Sequence, residues 1–355
     1  MADLYQKMRA FQKTSRNPVP ARPSEEQKPA QPLPDHLSTL SQIPGVTLAR
    51  ELVRKVEIRE QERDAFLASL GGSEIESTAG RYWLRHSTVH SHRLPYSEDN
   101  LDGYSLQQMG RDESFTDFDP RKAVFVDTET TGLAGGTGTY AFLVGIGRFV
   151  DDGFTVTQYF MRDYDEEPAM LDAILDDLST ASFLVTFNGK CFDIPLLATR
   201  LRMNRRSVIV ESLAHFDLLH PARRLWRQRC ESCTLTNLEA VLLGHERGID
   251  VPAFQIPQIY FDFTRGMGIR RIRPVLEHNV DDIVSLAMLS AKACRMYRLP
   301  ELEASNAIDW YSLGRAFLAD GEKERARMCL ERSLQTDLPL GLRWMAQRDY
   351  SLLLK

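Results

Sequence analysis

The sequence predicts an α/β fold, a mixed five-stranded sheet with flanking helices, and three observations carry that prediction. Three strand-like runs follow one another directly, at Val124–Val126, Tyr140–Val150 and Phe154–Met161. Strand-like and helix-like runs then alternate. A pair of helix-patterned segments closes the chain. Three strands in immediate succession make an antiparallel meander, and the later alternation places helices on the faces of a mixed sheet.

The chain begins with Leu4, Met8 and Phe11 at helical spacing among Lys and Arg. From Asn17 to Pro34 six prolines fall among Ser, Glu, Gln and Lys, a composition that cannot bury a core. Residues 1–37 therefore read as a disordered leader, and 38–115 as a mixed extension. Within that extension Val53–Leu67 has a polar helical pattern, and Gly80–His86 alternates like a strand. His86, His90 and His92 lie among Ser and Arg without a nearby acid or thiol set, which makes them surface residues rather than ligands.

Residues 116–300 carry the sheet. Asp151-Asp152-Gly153 is a hairpin turn between the second and third strands. Asp165 is placed to cap a helix whose buried face is Leu171, Ile174, Leu175 and Leu178. Ser182–Phe187 is a short continuous apolar strand, buried on both faces. Asp193 opens the next helix, Ile194–Leu201. The fifth strand falls at Val208–Leu213 or His215–Leu219. Thr236-Asn237-Leu238-Glu239 has the form of a capping box, with Gly244 as the stop. A long helix runs from near Pro274 to about Tyr297, with proline in its first turn.

Composition sets limits on function. The chain has 355 residues, 43% apolar and 26% charged, as ordinary globular proteins are. Its net charge of −5 supplies no global basic field, so nucleic acid would have to meet a local patch. No apolar run reaches the roughly 18 residues of a membrane span. Five cysteines without an export signal point to reduced thiols and a cytoplasmic protein.

The chemistry begins at Asp127-Thr128-Glu129. In a strand, residues two apart share a face, so Asp127 and Glu129 repel unless something neutralises them. Hard divalent cations, Mg²⁺ or Mn²⁺, suit an all-oxygen pair. Two later segments complete the set: Phe187-Asn188-Gly189-Lys190-Cys191-Phe192-Asp193, and His278-Asn279-Val280-Asp281-Asp282. His278 and Asp282 are four apart on a helix and share a face. Asp281 points about 100° away and reads as a solvated acid.

In this order the three stretches resemble the three motifs of the DEDD 3′–5′ exonucleases of the ribonuclease H-like superfamily. The YprB type, in which a tetratricopeptide-like segment follows the nuclease domain, is the nearest pattern. The resemblance covers roughly residues 80–335. It implies a ribonuclease H-like fold and a hydrolase that removes nucleotides from a 3′ end of DNA or RNA. It also implies that Asp127, Glu129, Asp193 and Asp282 bind two Mg²⁺ or Mn²⁺ ions, with His278 as general base. Thr131, Gly132 and Leu133 would touch the terminal nucleotide, and Asn188 would position the substrate or the second motif. One departure stands out. The family carries either Tyr four residues before its last Asp or His five before it, and here His has the tyrosine spacing. Either His278 acts from the tyrosine position, or the base is another group. Two rival functions remain: a nucleic-acid-binding scaffold on a nuclease fold, and an RNA-processing endonuclease.

Two arginine clusters are candidate phosphate contacts: Arg200, Arg202, Arg205, Arg206, Arg223, Arg224, Arg227 and Arg229, and then Arg265, Arg270, Arg271 and Arg273. Cys230-x-x-Cys233 is a lone pair, two ligands short of a zinc site unless His215, His220 or His245 joins it. In residues 301–355, Trp310, Leu313, Gly314, Phe317, Gly321, Ala326 and Leu330 fit one tetratricopeptide-like repeat. Trp344 falls one 34-residue period later, with Gln347 and Arg348 where Leu and Gly belong. This helical segment is expected to pack on the nuclease domain or on a protein partner.

Overall fold

The computed structural model describes residues 44–132, 136–245, 247–248 and 250–354, with side chains from residue 57 onward. The predicted leader, residues 1–37, lies outside the described residues, and so does Leu133. The chain divides into two units, Met1–Glu57 and Ile58–Lys355, and the account below concerns the second.

Helix α1 (Pro44–Ser69) precedes the hairpin of β1 (Gly72–Ser77) and β2 (Gly80–His90). After α2 (Gly103–Gly110) come β3 (Ala123–Thr130), β4 (Ala141–Val150) and β5 (Gly153–Phe160). The alternating part is α3 (Glu167–Leu178), β6 (Phe183–Thr186), α4 (Asp193–Met203), β7 (Ala214–Asp217) and α5 (Leu219–Trp226). Then follow α6 (Leu235–Leu238), α7 (Ile256–Thr264) and the long α8 (Ile272–Arg298). The chain ends in α9 (Pro300–Glu303), α10 (Ala307–Ala319), α11 (Lys323–Gln335) and α12 (Leu340–Leu353).

These strands form one mixed sheet of seven, not five, in the order β1-β2-β5-β4-β3-β6-β7. The pairs from β1 to β3 are antiparallel, and β3–β6 and β6–β7 are parallel. The two added strands come from the extension, where Trp83–His90 of β2 pairs with the whole of β5. The sequence showed an alternating run there, but strand partners far apart in the chain leave no local trace.

Alternation along β3 decides the site. Val124 and Val126 enter one apolar core, with Leu196 and Tyr260. Ala123 and Phe125 enter the other, with Ile283 and Trp226. Continuing that alternation turns Asp127 and Glu129 toward α8 and Thr128 the opposite way. Two strand glycines let α8 approach closely. A Cβ on Gly145 would lie 2.2 Å from Ile283 Cδ1 and 2.4 Å from Asn279 Oδ1. On Gly147 it would lie 2.5 Å from Ile283 Cγ2. Neither position admits a side chain without moving the helix.

Local capping differs from expectation at two helices. Asp163, not Asp165, caps the short turn before α3, accepting from the Tyr164 N–H at 2.7 Å. The residue before α6 is Thr234, not Thr236, and α6 continues as a π-helical segment, Glu239–Leu243. Gly244 ends it in the left-handed conformation, with φ 65°, as expected. Glu239 is therefore no capping residue; it is wholly buried.

The C-terminal helices pack on the sheet domain. Trp310, Leu313 and Phe317 share an apolar core with Leu225, Trp226 and Tyr297. Arg229 donates to buried Asp309 at 2.7 Å. Gly314 admits Leu330, whose Cγ would meet an added Cβ at 2.7 Å. The two periodic tryptophans diverge: Trp310 is 7% exposed and Trp344 74%.

Candidate active site

The end of β3 is the centre of the site. A bulge between Glu129 and Thr130 breaks the register with β4, a device that re-aims side chains at strand ends. Asp127 and Glu129 are half-buried on the α8 side. Asn279, fully buried, donates from Nδ2 to Asp127 Oδ2 at 2.8 Å. Its own Oδ1 accepts from Gln158 Nε2 at 2.9 Å, and Gln158 also donates to the Leu276 carbonyl at 2.8 Å. Thus a chain of neutral amides from β5 through α8 holds Asp127 in place.

Asp193 arrives from the other side of β3. The turn after β6 carries Asn188 in the left-handed region, with φ 66°, which Asn tolerates better than most residues. Gly189 follows because a Cβ there would lie 2.5 Å from Thr186. Asp217, at the end of β7, braces this turn. Its Oδ1 accepts from the Asn188 and Leu219 N–H groups at 2.7 and 3.1 Å, and its Oδ2 from Lys190 N–H at 3.1 Å. The turn delivers Asp193 to the first turn of α4, where Thr128 Oγ1 donates to its Oδ1 at 2.5 Å.

A cleft of about 410 Å³ runs along this wall, lined by Asp127, Thr130, Gly132, Asn188, Phe192 and Asp193 among others. Gly132 and Asn188 thus line one cleft with two of the motif acids. Thr131 is engaged differently: its Oγ1 accepts from Tyr140 N–H and its N–H donates to the Tyr140 carbonyl, each at 2.9 Å. It splices the hairpin turn.

The helix α8 supplies His278 and Asp282 on one face. His278 Nε2 lies 3.4 Å from Asp282 Oδ2 and 3.8 Å from Glu129 Oε1. Its Nδ1 lies 2.6 Å from Asp250 Oδ1. The same Nδ1 lies 3.1 Å from Arg247 Nη1, so a carboxylate and a guanidinium meet at this ring nitrogen while Nε2 faces the acids. Arg247 reaches the same place, donating to Asp282 Oδ1. The loop between Gly244 and Val251 thereby contributes two side chains that no motif predicted. Asp281 is half-buried rather than solvated and lines a separate cavity with Arg93 and His245.

Electrostatics couples the four motif acids. Burial raises the Asp127 carboxyl well above its usual range, and the charges of Asp282 and Asp193 raise it further. Burial does the same to Glu129, reinforced by Asp127, Asp282 and Asp193. Asp193 is pushed up to about 6 by burial, against the bond from Thr128. Burial raises Asp282 too, opposed by His278 and Arg247. Burial would also raise Asp250, but the hydrogen bond and charge of His278 outweigh it and hold that carboxyl low.

A set of all-oxygen donors that resist ionisation because they are buried suits hard divalent cations. Among the described residues, however, no three His, Cys, Asp or Glu side chains are gathered as a ready cation cage. Thr128 draws Asp193 to one face of β3, and Arg247 draws Asp282 toward its loop.

The arginine clusters are partly consumed by the fold. Arg200 is buried and forks onto Glu167 at 2.5 and 2.6 Å. Arg206 pairs with Asp172, Arg202 with Glu211 and Arg229 with Asp309. Arg224 donates to the Met109 carbonyl. Arg205, Arg223, Arg227 and Arg265 are exposed. His215, once a candidate ligand beside the cysteine pair, bonds Thr186 Oγ1 at 2.8 Å. No helix among the described residues is long and apolar enough to cross a membrane.

Residues 124–294 match the RNase_H_2 family, described as RNase_H superfamily. The uncharacterized protein YprB of Bacillus subtilis (strain 168) is 35% identical over 212 residues, covering 59% of this chain and 51% of that protein. The chain thus spans about half the length of that curated relative. A structural match, at TM-score 0.40 and 15% identity, is the family B DNA polymerase of the hyperthermophilic archaeon Pyrobaculum calidifontis, covering 60% of this chain and 29% of the other.

Proposed function

We propose, from the match of residues 124–294 to the RNase_H_2 family of the RNase_H superfamily, that the chain is a divalent-metal-dependent 3′–5′ exonuclease acting on DNA or RNA. The observation that supports this most directly is that β3, α4 and α8 bring Asp127 and Glu129, Asp193, and His278 with Asp282 to the end of one strand, each of the four carboxyls raised first by burial. Buried carboxylates kept so cost stability, which points to function rather than folding.

Asp127, Glu129, Asp193 and Asp282 would hold two Mg²⁺ or Mn²⁺ ions. When bound, such ions stabilise negative charge on the phosphoryl oxygens. The chain's own residues do the rest. His278 takes the proton of the attacking water at Nε2, with Asp250 and Arg247 holding the ring from Nδ1. In this reading His278 serves as base from the tyrosine position, four residues before Asp282. Gly132, Asn188 and Phe192 in the cleft receive the terminal nucleotide, and exposed arginines meet the backbone phosphates. Leu133, expected to touch that nucleotide, lies outside the described residues.

Incubation with 5′-labelled single- and double-stranded DNA and RNA, with Mg²⁺ or Mn²⁺, tests the reading. A ladder shortening from the 3′ end is expected. Internal cuts would assign an endonuclease instead. Binding without turnover, unchanged in Asp127→Ala, would assign a scaffold.

A further inference from the structure

Arg247 stands among the acids, yet neither its position nor its partners follow from any motif. Its side chain is 4% exposed. One edge of the guanidinium forks onto Glu239, with Nε 2.5 Å from Oε1 and Nη2 2.8 Å from Oε2. Glu239 is wholly buried and accepts a further bond from Ser285 Oγ at 2.6 Å. The remaining reach of Nη2 goes to Asp282 Oδ1, and Nη1 lies 3.1 Å from His278 Nδ1 and 3.5 Å from Asp250 Oδ2. The other oxygen of Asp282 stays toward His278 and the site. One cation therefore serves three carboxylates, and its place is set by the buried one.

Taking the four motif acids as the metal-binding set, as proposed above, we infer that Arg247 is a built-in rival of the divalent cations for Asp282. It neutralises that carboxylate while cations are absent, and it yields the carboxylate when they load. Glu239 makes the exchange feasible. Were Arg247 held by Asp282 alone, releasing it would strand a buried guanidinium. Because the fork on Glu239 persists, the release gives up one hydrogen bond and leaves no buried charge unpaired. A guanidinium so close to a bound cation also repels it, so Arg247 weakens metal affinity and makes loading depend on metal concentration. The bond to Asp282 also draws that acid away from a closed cage, which agrees with the absence of one among the described residues.

Titration of the metal-free full chain with Mn²⁺ alone, followed by calorimetry, tests this, with thermal melts to confirm folding. Arg247→Met by itself would leave Glu239 buried and unpaired, so the double variant Glu239→Gln with Arg247→Met is used. It is expected to bind Mn²⁺ roughly tenfold more tightly than wild type, since a neighbouring positive charge is gone. The single variant Glu239→Gln has the opposite sign. Arg247 loses its anchor, spends its charge on Asp282, and Mn²⁺ binds more weakly. Equal or weaker binding by the double variant, against a wild type that binds Mn²⁺, overturns the role of Arg247 and leaves the metal site standing. Should the double variant not fold, unchanged or tighter binding by Glu239→Gln overturns it alike. A wild type that binds no Mn²⁺ at millimolar concentration removes the metal site itself, and this inference with it.

Discussion

Asp127 and Asp282 face one site from opposite walls, and the walls hold them by different means. On the strand wall the partners are neutral: the Asn279 amide for Asp127 and the Thr128 hydroxyl for Asp193. On the helix wall the partner is a full charge, Arg247, anchored by Glu239. Neutral donors orient a carboxylate but leave its charge uncompensated, and both strand-wall acids are pushed upward. The guanidinium compensates charge and so opposes that push on Asp282. The strand wall is thus poised to receive cations, whereas the helix wall carries one already.

The sharpest way to break this contrast is to neutralise the strand wall. Asp127→Asn is expected to lower turnover on labelled oligonucleotides by on the order of 10³-fold or more. Its metal-free melting temperature should hold or rise, because a crowded buried charge is gone. Retained turnover would mean that the strand wall does not do the chemistry. The amide relay comes next. Asn279→Leu leaves Gln158 and Asp127 each short of a buried partner, at a cost of about 1–3 kcal/mol in chemical denaturation. A neutral result would show that Asp127 is positioned by other contacts.

A further prediction concerns pH and the support of the strand wall. His215 is kept neutral beneath the Asn188 turn, its pKa lowered to about 4 by burial and then by Lys190. Unfolded, it titrates near 6.5, so the unfolded chain binds its proton first as pH falls. The stability this group contributes is whole above pH about 6.5 and fades toward pH about 4, a loss of up to about 3 kcal/mol. His215→Gln should flatten that part of the stability–pH curve, measured by urea melts. If the slope persists, another group supplies it. The smallest effect is reserved for a control outside both walls. Arg202 and Glu211 form an exposed pair, and Arg202→Ala should change stability by less than about 1 kcal/mol.

Much of the site was legible along the chain because its parts are local. Asp127 and Glu129 share a strand face, His278 and Asp282 share a helix face, and Asn188-Gly189 is a turn by its residue types. Asp217 could be suspected as a strand-end brace. Arg247, Asp250, Glu239 and Asn279 could not be singled out. An arginine in a loop looks the same whether it meets solvent or a buried glutamate, and Asn279 looks like any polar helix residue. Gly145 and Gly147 were the available hint, since glycines in mid-strand mark a close neighbour without saying which. The arginine clusters misled for the same reason, as charge counting does not show which partners the fold will provide.

By itself the sequence determined the order of strands and helices, the acids that end them and the turns that aim them, because short-range periodicity and backbone preference act within a few residues. Only the tertiary structure decided which oxygen meets which donor. It set Asp193 against Thr128, Asp127 against Asn279 and Asp282 against Arg247, since those pairings join residues 35 or more positions apart. Close packing of α8 on β4 brings Asn279 to Asp127, the turn after β6 brings Asp193 to Thr128, and the loop after Gly244 brings Arg247 to Asp282.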